Sequence, residues 1–105
     1  MRESDLKIVK KFKDLVSKKV KILEIRVFGS RTREDFTEES DLDVFVIVEK
    51  LDRETEKYIS DCAWEAGFPE DVVIVPVVVS KETMEQGNIR ESAFIKNIYK
   101  EGIAA

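Results

Sequence analysis

Two aspartates that could hold a metal stand at the start of an apolar run, Asp41 and Asp43 in the stretch DLDVFVIV. Alternate residues of a strand project from the same face, which puts the Cα atoms of the two aspartates about 6.8 Å apart. At an effective dielectric constant of about 20, two unit charges at that separation repel by roughly 2.4 kcal/mol. A divalent cation would offset this repulsion. Oxygen ligands without sulfur or imidazole favour Mg²⁺ or Mn²⁺ over zinc.

The residues before the aspartates could bind phosphate. Gly29 ends an apolar segment and permits close backbone approach, and Ser30 adds a hydroxyl at the start of a polar segment that could be helical. Arg31 and Arg33 are cations able to pair with phosphate oxygens. A Gly-Ser pair alone is usually a turn, and an Asp-x-Asp alone is often a loop. Here ten residues join the two and lead into a strand, which predicts one triphosphate–metal site.

This spacing, in VFGSRTREDFTEESDLDVFVIV, resembles that of the nucleotidyltransferase superfamily typified by DNA polymerase beta. Within it the chain resembles the minimal nucleotidyltransferases, the antitoxin-type partners of HEPN proteins. Their signature of GS, ten residues and D-x-D matches Gly29, Ser30, Asp41 and Asp43. The resemblance implies a nucleoside triphosphate at Gly29 and Ser30, and metal at Asp41 and Asp43. The implied reaction transfers a nucleoside monophosphate to a hydroxyl and releases pyrophosphate.

Active members of that superfamily usually carry a third carboxylate on the next strand, where this chain has DVVIVPVVVS. On an unbroken strand one face carries Val73, Val75, Val77 and Val79. Every register therefore places a valine where the third acid is expected. Asp71 and Glu82 at the strand ends, and Glu24 on an earlier strand, remain open as substitutes. A missing general base typically lowers a rate by about 10²–10⁴-fold.

Three strands are predicted from the apolar pattern. KILEIRVF alternates like a half-buried strand, LDVFVIVE is apolar enough to be central, and DVVIVPVVVS contains Pro76, which implies an edge or a bulge. The short connection between the first two strands favours an antiparallel pair, and the longer helical connection to the third allows a parallel pair. The prediction is an α/β (α+β) domain with a small mixed three-stranded sheet flanked by helices. The resemblance adds that this is the nucleotidyltransferase fold.

Helix ends are predicted from capping residues. Ser4 is expected to cap the first helix and Asp52 the second, which should stop at Gly67. Asn88, with a glutamate three residues on, is expected to open a last helix that ends at Gly102.

Composition narrows the classes of function. A length of 105 residues fits one domain over residues 1–105, and the net charge of −4 gives no strong nucleic-acid signal. The absence of histidine excludes Ser-His-Asp triads and imidazole zinc sites. Cys62 is expected to be a small core residue in a reducing compartment. No apolar run reaches the about 20 residues of a membrane span, so a cytoplasmic location is expected.

The leading hypothesis is a Mg²⁺-dependent nucleotidyltransferase that moves AMP from ATP to a hydroxyl on a protein partner, as the antitoxin of a HEPN toxin. The alternative is a catalytically weakened or inactive nucleotide-binding module that acts by protein–protein contact. An antibiotic- or sugar-modifying transferase is less favoured, because so short a chain leaves little room to hold a small acceptor. The base preference, the acceptor, the oligomeric state and the partner's identity stay open.

Overall fold

A mixed four-stranded sheet forms the centre of the molecule in the computed structural model, which describes residues 2–32 and 41–105. The strands are β1 (Ile22–Phe28), β2 (Leu42–Val48), β3 (Ile74–Ser80) and β4 (Ile103–Ala104), in the spatial order β3-β2-β1-β4. β1 is antiparallel to β2 and β4, and β2 is parallel to β3. The predicted mixed sheet, with its first pair antiparallel, is confirmed. The predicted count of three strands is wrong, because a strand as short as β4 leaves no alternating pattern to detect.

Five α-helices flank this sheet within the described ranges: α1 (Glu3–Ser17), α2 (Arg53–Gly67), α3 (Lys81–Glu85), α4 (Gly87–Arg90) and α5 (Ala93–Glu101). Short 3₁₀ turns occupy Ser30–Thr32, as the polar segment after β1 predicted, and Phe68–Glu70. None of the helices in these ranges combines the length and the apolar character needed to cross a membrane.

The predicted helix ends are partly confirmed. The Asp52 carboxylate caps α2 by accepting the Thr55 N–H at 2.7 Å, and α2 and α5 stop at the two expected glycines. The prediction at Ser4 is wrong, since α1 already starts at Glu3 without a side-chain cap. The prediction at Asn88 is also wrong. Extended backbone at Gln86 and Ser92 divides this region, and the Ser92 hydroxyl caps the last helix.

The two faces of the sheet carry separate apolar clusters. One face packs against α1 and α2, with a core that includes Val27, Val44, Val46, Phe12, Val16, Ile59 and the buried Cys62. The other face packs against α3 and α5, through Phe45, Ile47, Met84, Ile95 and Ile98. The central position of β2 is confirmed, because six of its seven residues are buried. The exception is Asp43.

Pro76 lies on the open edge of the sheet. The Val73 carbonyl accepts the Leu42 N–H at 2.9 Å, and alternate residues of a parallel strand bond to the same neighbour. Val75 therefore faces β2, whereas Pro76 belongs to the set that faces outward. Its missing N–H removes no bond to β2, which explains why β3 is unbroken. The predicted edge position is confirmed, and Val75 stays in register with Asp43.

Candidate active site

The two predicted metal ligands lie together at the start of β2. Asp43 shares a face of the sheet with Phe28 on β1 and Val75 on β3, its partners in register, and Asp41 precedes the strand by one residue. Partial burial raises the pKa of the Asp43 carboxyl, and the nearby charge of Asp41 raises it further. The negative charge of Asp41 therefore acts on the Asp43 carboxyl, in the direction expected for two acids at this spacing.

The turn that begins at Gly29 lies against the carboxylate of Asp43. The φ of Gly29, +83°, lies in the left-handed region that favours glycine, and a Cβ built on this residue would lie 2.2 Å from Oδ2 of Asp43. A side chain there would have to displace the Asp43 carboxylate, on a backbone that favours glycine. The Gly29 carbonyl accepts the Thr32 N–H at 3.1 Å and the Thr32 hydroxyl at 2.7 Å, which closes the turn. The backbone of Gly29, followed by Ser30 in the 3₁₀ turn, thus borders the Asp43 carboxylate.

Arg31 points inward. Its Nη1 donates to Oδ1 of Asp5, on α1, at 2.8 Å, and both side chains are buried. A direct contact between Arg31 and phosphate stays a prediction. Arg33, the other predicted phosphate ligand, lies outside the described residues.

Sequence reasoning missed Asp5, although a signal was present. Asp5 stands three, four and seven residues before Ile8, Val9 and Phe12, the buried stripe of α1. A carboxylate in an apolar stripe of a helix needs a buried partner. The sequence indicated that need but not which residue meets it.

No third acid stands beside the pair on β3, because Val75 occupies the place next to Asp43. Asp71 is an exposed residue in the left-handed region before β3, and Glu82 lies in α3, past the other end of that strand. Within residues 2–32 and 41–105 no group of three acidic, histidine or cysteine residues is placed to hold a metal. Two carboxylates nevertheless suit Mg²⁺, which is usually bound by one or two carboxylates together with substrate phosphates and water.

Glu24 is engaged elsewhere on the same face of the sheet. Its Oε2 accepts a hydrogen bond from the Tyr99 hydroxyl and another from Nε of Arg26, at 3.1 Å. Glu24 pairs with Ile47 on β2, four residues along the strand from Asp43. That spacing corresponds to about 13 Å, too far for a shared metal.

Comparison with known proteins identifies the family. The family described as "Nucleotidyltransferase domain" matches residues 9–105. The Methanocaldococcus jannaschii protein named "Putative protein adenylyltransferase MJ0141" is 34% identical over 79 residues, which cover 72% of this chain and 80% of that protein. The chain therefore belongs to the nucleotidyltransferase domain family.

Solved toxin–antitoxin structures share the fold. A mutant of the MntA–HpeT pair has a TM-score of 0.59 at 17% identity, and a toxin–antitoxin with AMP-PNP has 0.59 at 19%, each over 95% of this chain and 70% of the other. The Shewanella oneidensis complex of a tri-AMPylated HEPN toxin with its MNT antitoxin has 0.52 at 18%, over 96% and 67%. The expected nucleotidyltransferase fold is confirmed.

Proposed function

We propose that this chain is a Mg²⁺-dependent nucleotidyltransferase that transfers AMP from ATP to a hydroxyl on a protein partner. The observation that carries the proposal is the placement of Asp43 against the backbone of Gly29, with the charge of Asp41 close by. We further propose that residues 1–105 act as a single domain, in the cytoplasm, as the antitoxin of a HEPN-type toxin.

Each part of the site has a proposed role. Asp41 and Asp43 hold the divalent cation, Mg²⁺ or Mn²⁺, and the turn at Gly29 and Ser30 approaches the phosphates. The cation, when bound, neutralises charge on the phosphates. The acceptor oxygen bonds to the α-phosphorus while the bond from that phosphorus to the bridging oxygen breaks. Pyrophosphate leaves with the electron pair, and the hydroxyl proton passes to solvent.

Known relatives support the choice of nucleotide and partner. The archaeal relative is named for adenylyl transfer to protein, one structural neighbour contains AMP-PNP, and another pairs an AMPylated HEPN toxin with an MNT antitoxin. These are properties of those proteins. They make ATP the nucleotide to test first, and a HEPN-type protein the acceptor to test first.

The residue next to Asp43 on β3, Val75, affects the expected rate of transfer. An acid beside Asp43 would help to activate the acceptor hydroxyl, and a valine does not. We expect the rate to be lower by about 10²–10⁴-fold than with a general base in place. Replacing Val75 with Asp should therefore raise the rate of transfer without a large change in affinity for ATP.

Transfer of label from ATP tests the proposal. The protein is mixed with a HEPN-type partner, Mg²⁺ and ATP labelled at the α-phosphate, and label on the partner is measured. We expect labelling by the natural chain and by Asp14→Asn, an exposed aspartate of α1, and none by Asp43→Asn. Absence of label with both Mg²⁺ and Mn²⁺ would refute transferase activity.

The second candidate is a nucleotide-binding module that acts by protein–protein contact. An exposed apolar patch favours it. Trp64, Phe68 and Val73 are 66%, 68% and 62% exposed, and the two rings lie 5.4 Å apart. They line a groove of about 270 Å³ between α2 and β3. The groove lies beside α2, on the face of the sheet opposite the one that carries Asp43. A protein bound there would therefore contact the chain away from the Asp43 face.

Two variants separate the candidates. Trp64→Lys damages the patch and leaves the carboxylates, whereas Asp41→Asn with Asp43→Asn does the reverse. If contact alone neutralises a toxin, the double aspartate variant should retain neutralisation and Trp64→Lys should lose it. Loss of neutralisation by the aspartate variant, with the complex intact, would support the transferase.

A further inference from the structure

A buried ion pair links the start of α1 to the phosphate turn. Asp5 is 1% exposed and Arg31 is 4% exposed, and the 2.8 Å bond between Oδ1 and Nη1 joins residues 26 positions apart. The second carboxylate oxygen, Oδ2 of Asp5, has no hydrogen-bond partner in the described part of the chain. This acid is the buried carboxylate of a helix whose other inward residues are apolar.

Stability alone does not account for such a pair. Removing two charges from water is costly, and well-packed apolar residues of similar volume often stabilise a protein as well or better. The unpartnered Oδ2 adds to the cost, since a buried acceptor without a donor loses its hydration without compensation. A geometric role is consistent with this pair, because a hydrogen-bonded pair fixes direction and distance where apolar packing does not.

The position of Arg31 shows which part of the backbone the ion pair fixes. Arg31 lies in the middle of the turn that runs from Gly29 to Thr32, and the Gly29 carbonyl is already bound by Thr32. Gly29 in turn contacts the carboxylate of Asp43. The bond from the Arg31 guanidinium to Asp5 therefore adds an anchor in the middle of a turn that the Thr32 bonds close at its ends.

We propose that Asp5 is a positioning residue. Through Arg31 it holds the turn from Gly29 to Thr32 in the conformation that receives the phosphates of a nucleoside triphosphate. In this role Arg31 acts from the interior, through its bond to Asp5. The inference rests on the proposed function, since it concerns the same phosphate turn.

Hydrogen exchange and nucleotide binding test the inference on the intact chain. In Asp5→Asn, the amides of residues 30–32 should exchange faster with solvent than in the natural chain. Affinity for a non-hydrolysable ATP analogue with Mg²⁺ should fall by about 10- to 100-fold, the usual effect of losing a supporting partner. Asp14→Asn, on the exposed side of the same helix, should change neither quantity.

A double-mutant cycle tests whether Asp5 acts through Arg31. The variants are Asp5→Asn, Arg31→Gln and the pair of them, and the double variant should lose no more affinity than either single one. Additive losses would overturn the inference. If Asp5→Asn does not fold, Arg31→Lys, which keeps a cation for Asp5, carries the same test and should retain more affinity than Arg31→Gln.

The possible failures are distinguishable. If the natural chain does not bind the analogue with any divalent cation, the proposed function fails and this inference fails with it. If the natural chain binds and folded Asp5→Asn binds equally well, only the inference is overturned. Unchanged exchange at residues 30–32 in that variant would also overturn it, whatever the nucleotide result.

Discussion

The two faces of the sheet differ in how completely helices cover them. On the face under α1 and α2, a continuous apolar cluster includes four alternate residues of β2, namely Leu42, Val44, Val46 and Val48. On the other face, α3 and α5 cover Phe45 and Ile47, and Asp43 at the start of the strand is left partly exposed. The core under α1 and α2 is thus continuous along β2, whereas the cover of α3 and α5 ends before Asp43. The candidate site lies where that cover ends.

The largest effect on stability is expected from a cavity in the core under α1 and α2. Phe12 is fully buried between α1 and the sheet, and Phe12→Ala should lower the free energy of unfolding by about 3–5 kcal/mol. Phe94→Ala is the matched control. Phe94 lies in α5, on the other side of the sheet, is 52% exposed and meets Phe28 edge-on. That control should cost about 0.5–1.5 kcal/mol. Urea denaturation measures both, and equal losses would contradict the contrast between the faces.

A smaller effect is expected at Gly29, in the turn that we propose binds phosphate. Gly29→Ala places a methyl group against Oδ2 of Asp43 on backbone that alanine disfavours, and should lower the free energy of unfolding by about 1–3 kcal/mol. Nucleotide binding should be lost as well. Gly87→Ala is the control, because a Cβ there meets nothing within 4 Å. An unchanged nucleotide affinity in Gly29→Ala would show that this turn does not border the bound phosphates.

The smallest expected effect is electrostatic and follows the raised pKa of Asp43. A raised pKa means that the folded state binds the proton more tightly than the unfolded chain. Without metal, stability from this group is therefore present below the usual aspartate pKa of about 3.9 and is lost as pH rises through the folded pKa. Asp43→Asn should remove that loss, so its melting temperature at neutral pH should exceed that of the natural chain. Mg²⁺ should raise the melting temperature of the natural chain only.

Thermal melts across pH, with and without Mg²⁺, make this measurement. A natural chain that melts at the same temperature as Asp43→Asn throughout, and is insensitive to Mg²⁺, would show that the acidic pair is neither strained nor a metal site. Asp14→Asn serves as the control for a change of charge alone.

Local patterns explain which features could be predicted. The strands, the Asp52 cap and the grouping of Asp43 with Gly29 all follow from residues close in sequence or from one turn between adjacent strands. β4 was not predictable, because two residues carry no period and depend on β1 for pairing. The split before α5 was missed because Asn88 and Ser92 are both good caps, and tertiary packing selects between them.

The partner of Asp5 illustrates the same limit within the site. The helical pattern indicated that α1 buries an acid, but many lysines and arginines along the chain could have formed the ion pair with it. Only the path of the chain after β1 brings Arg31 to it. The residues expected to do chemistry can therefore be predicted from a sequence more readily than the contacts that hold them in place.

Pro76 has a consequence for association. An uncovered edge strand is a template on which another chain can add a strand, which leads to aggregation. At Pro76 the outward row of β3 lacks a donor, so an incoming strand would leave one carbonyl unbonded at the middle of the edge. Addition of a strand along β3 is therefore less favourable, and exposed side chains beside this edge, such as Trp64, offer an alternative surface for a partner.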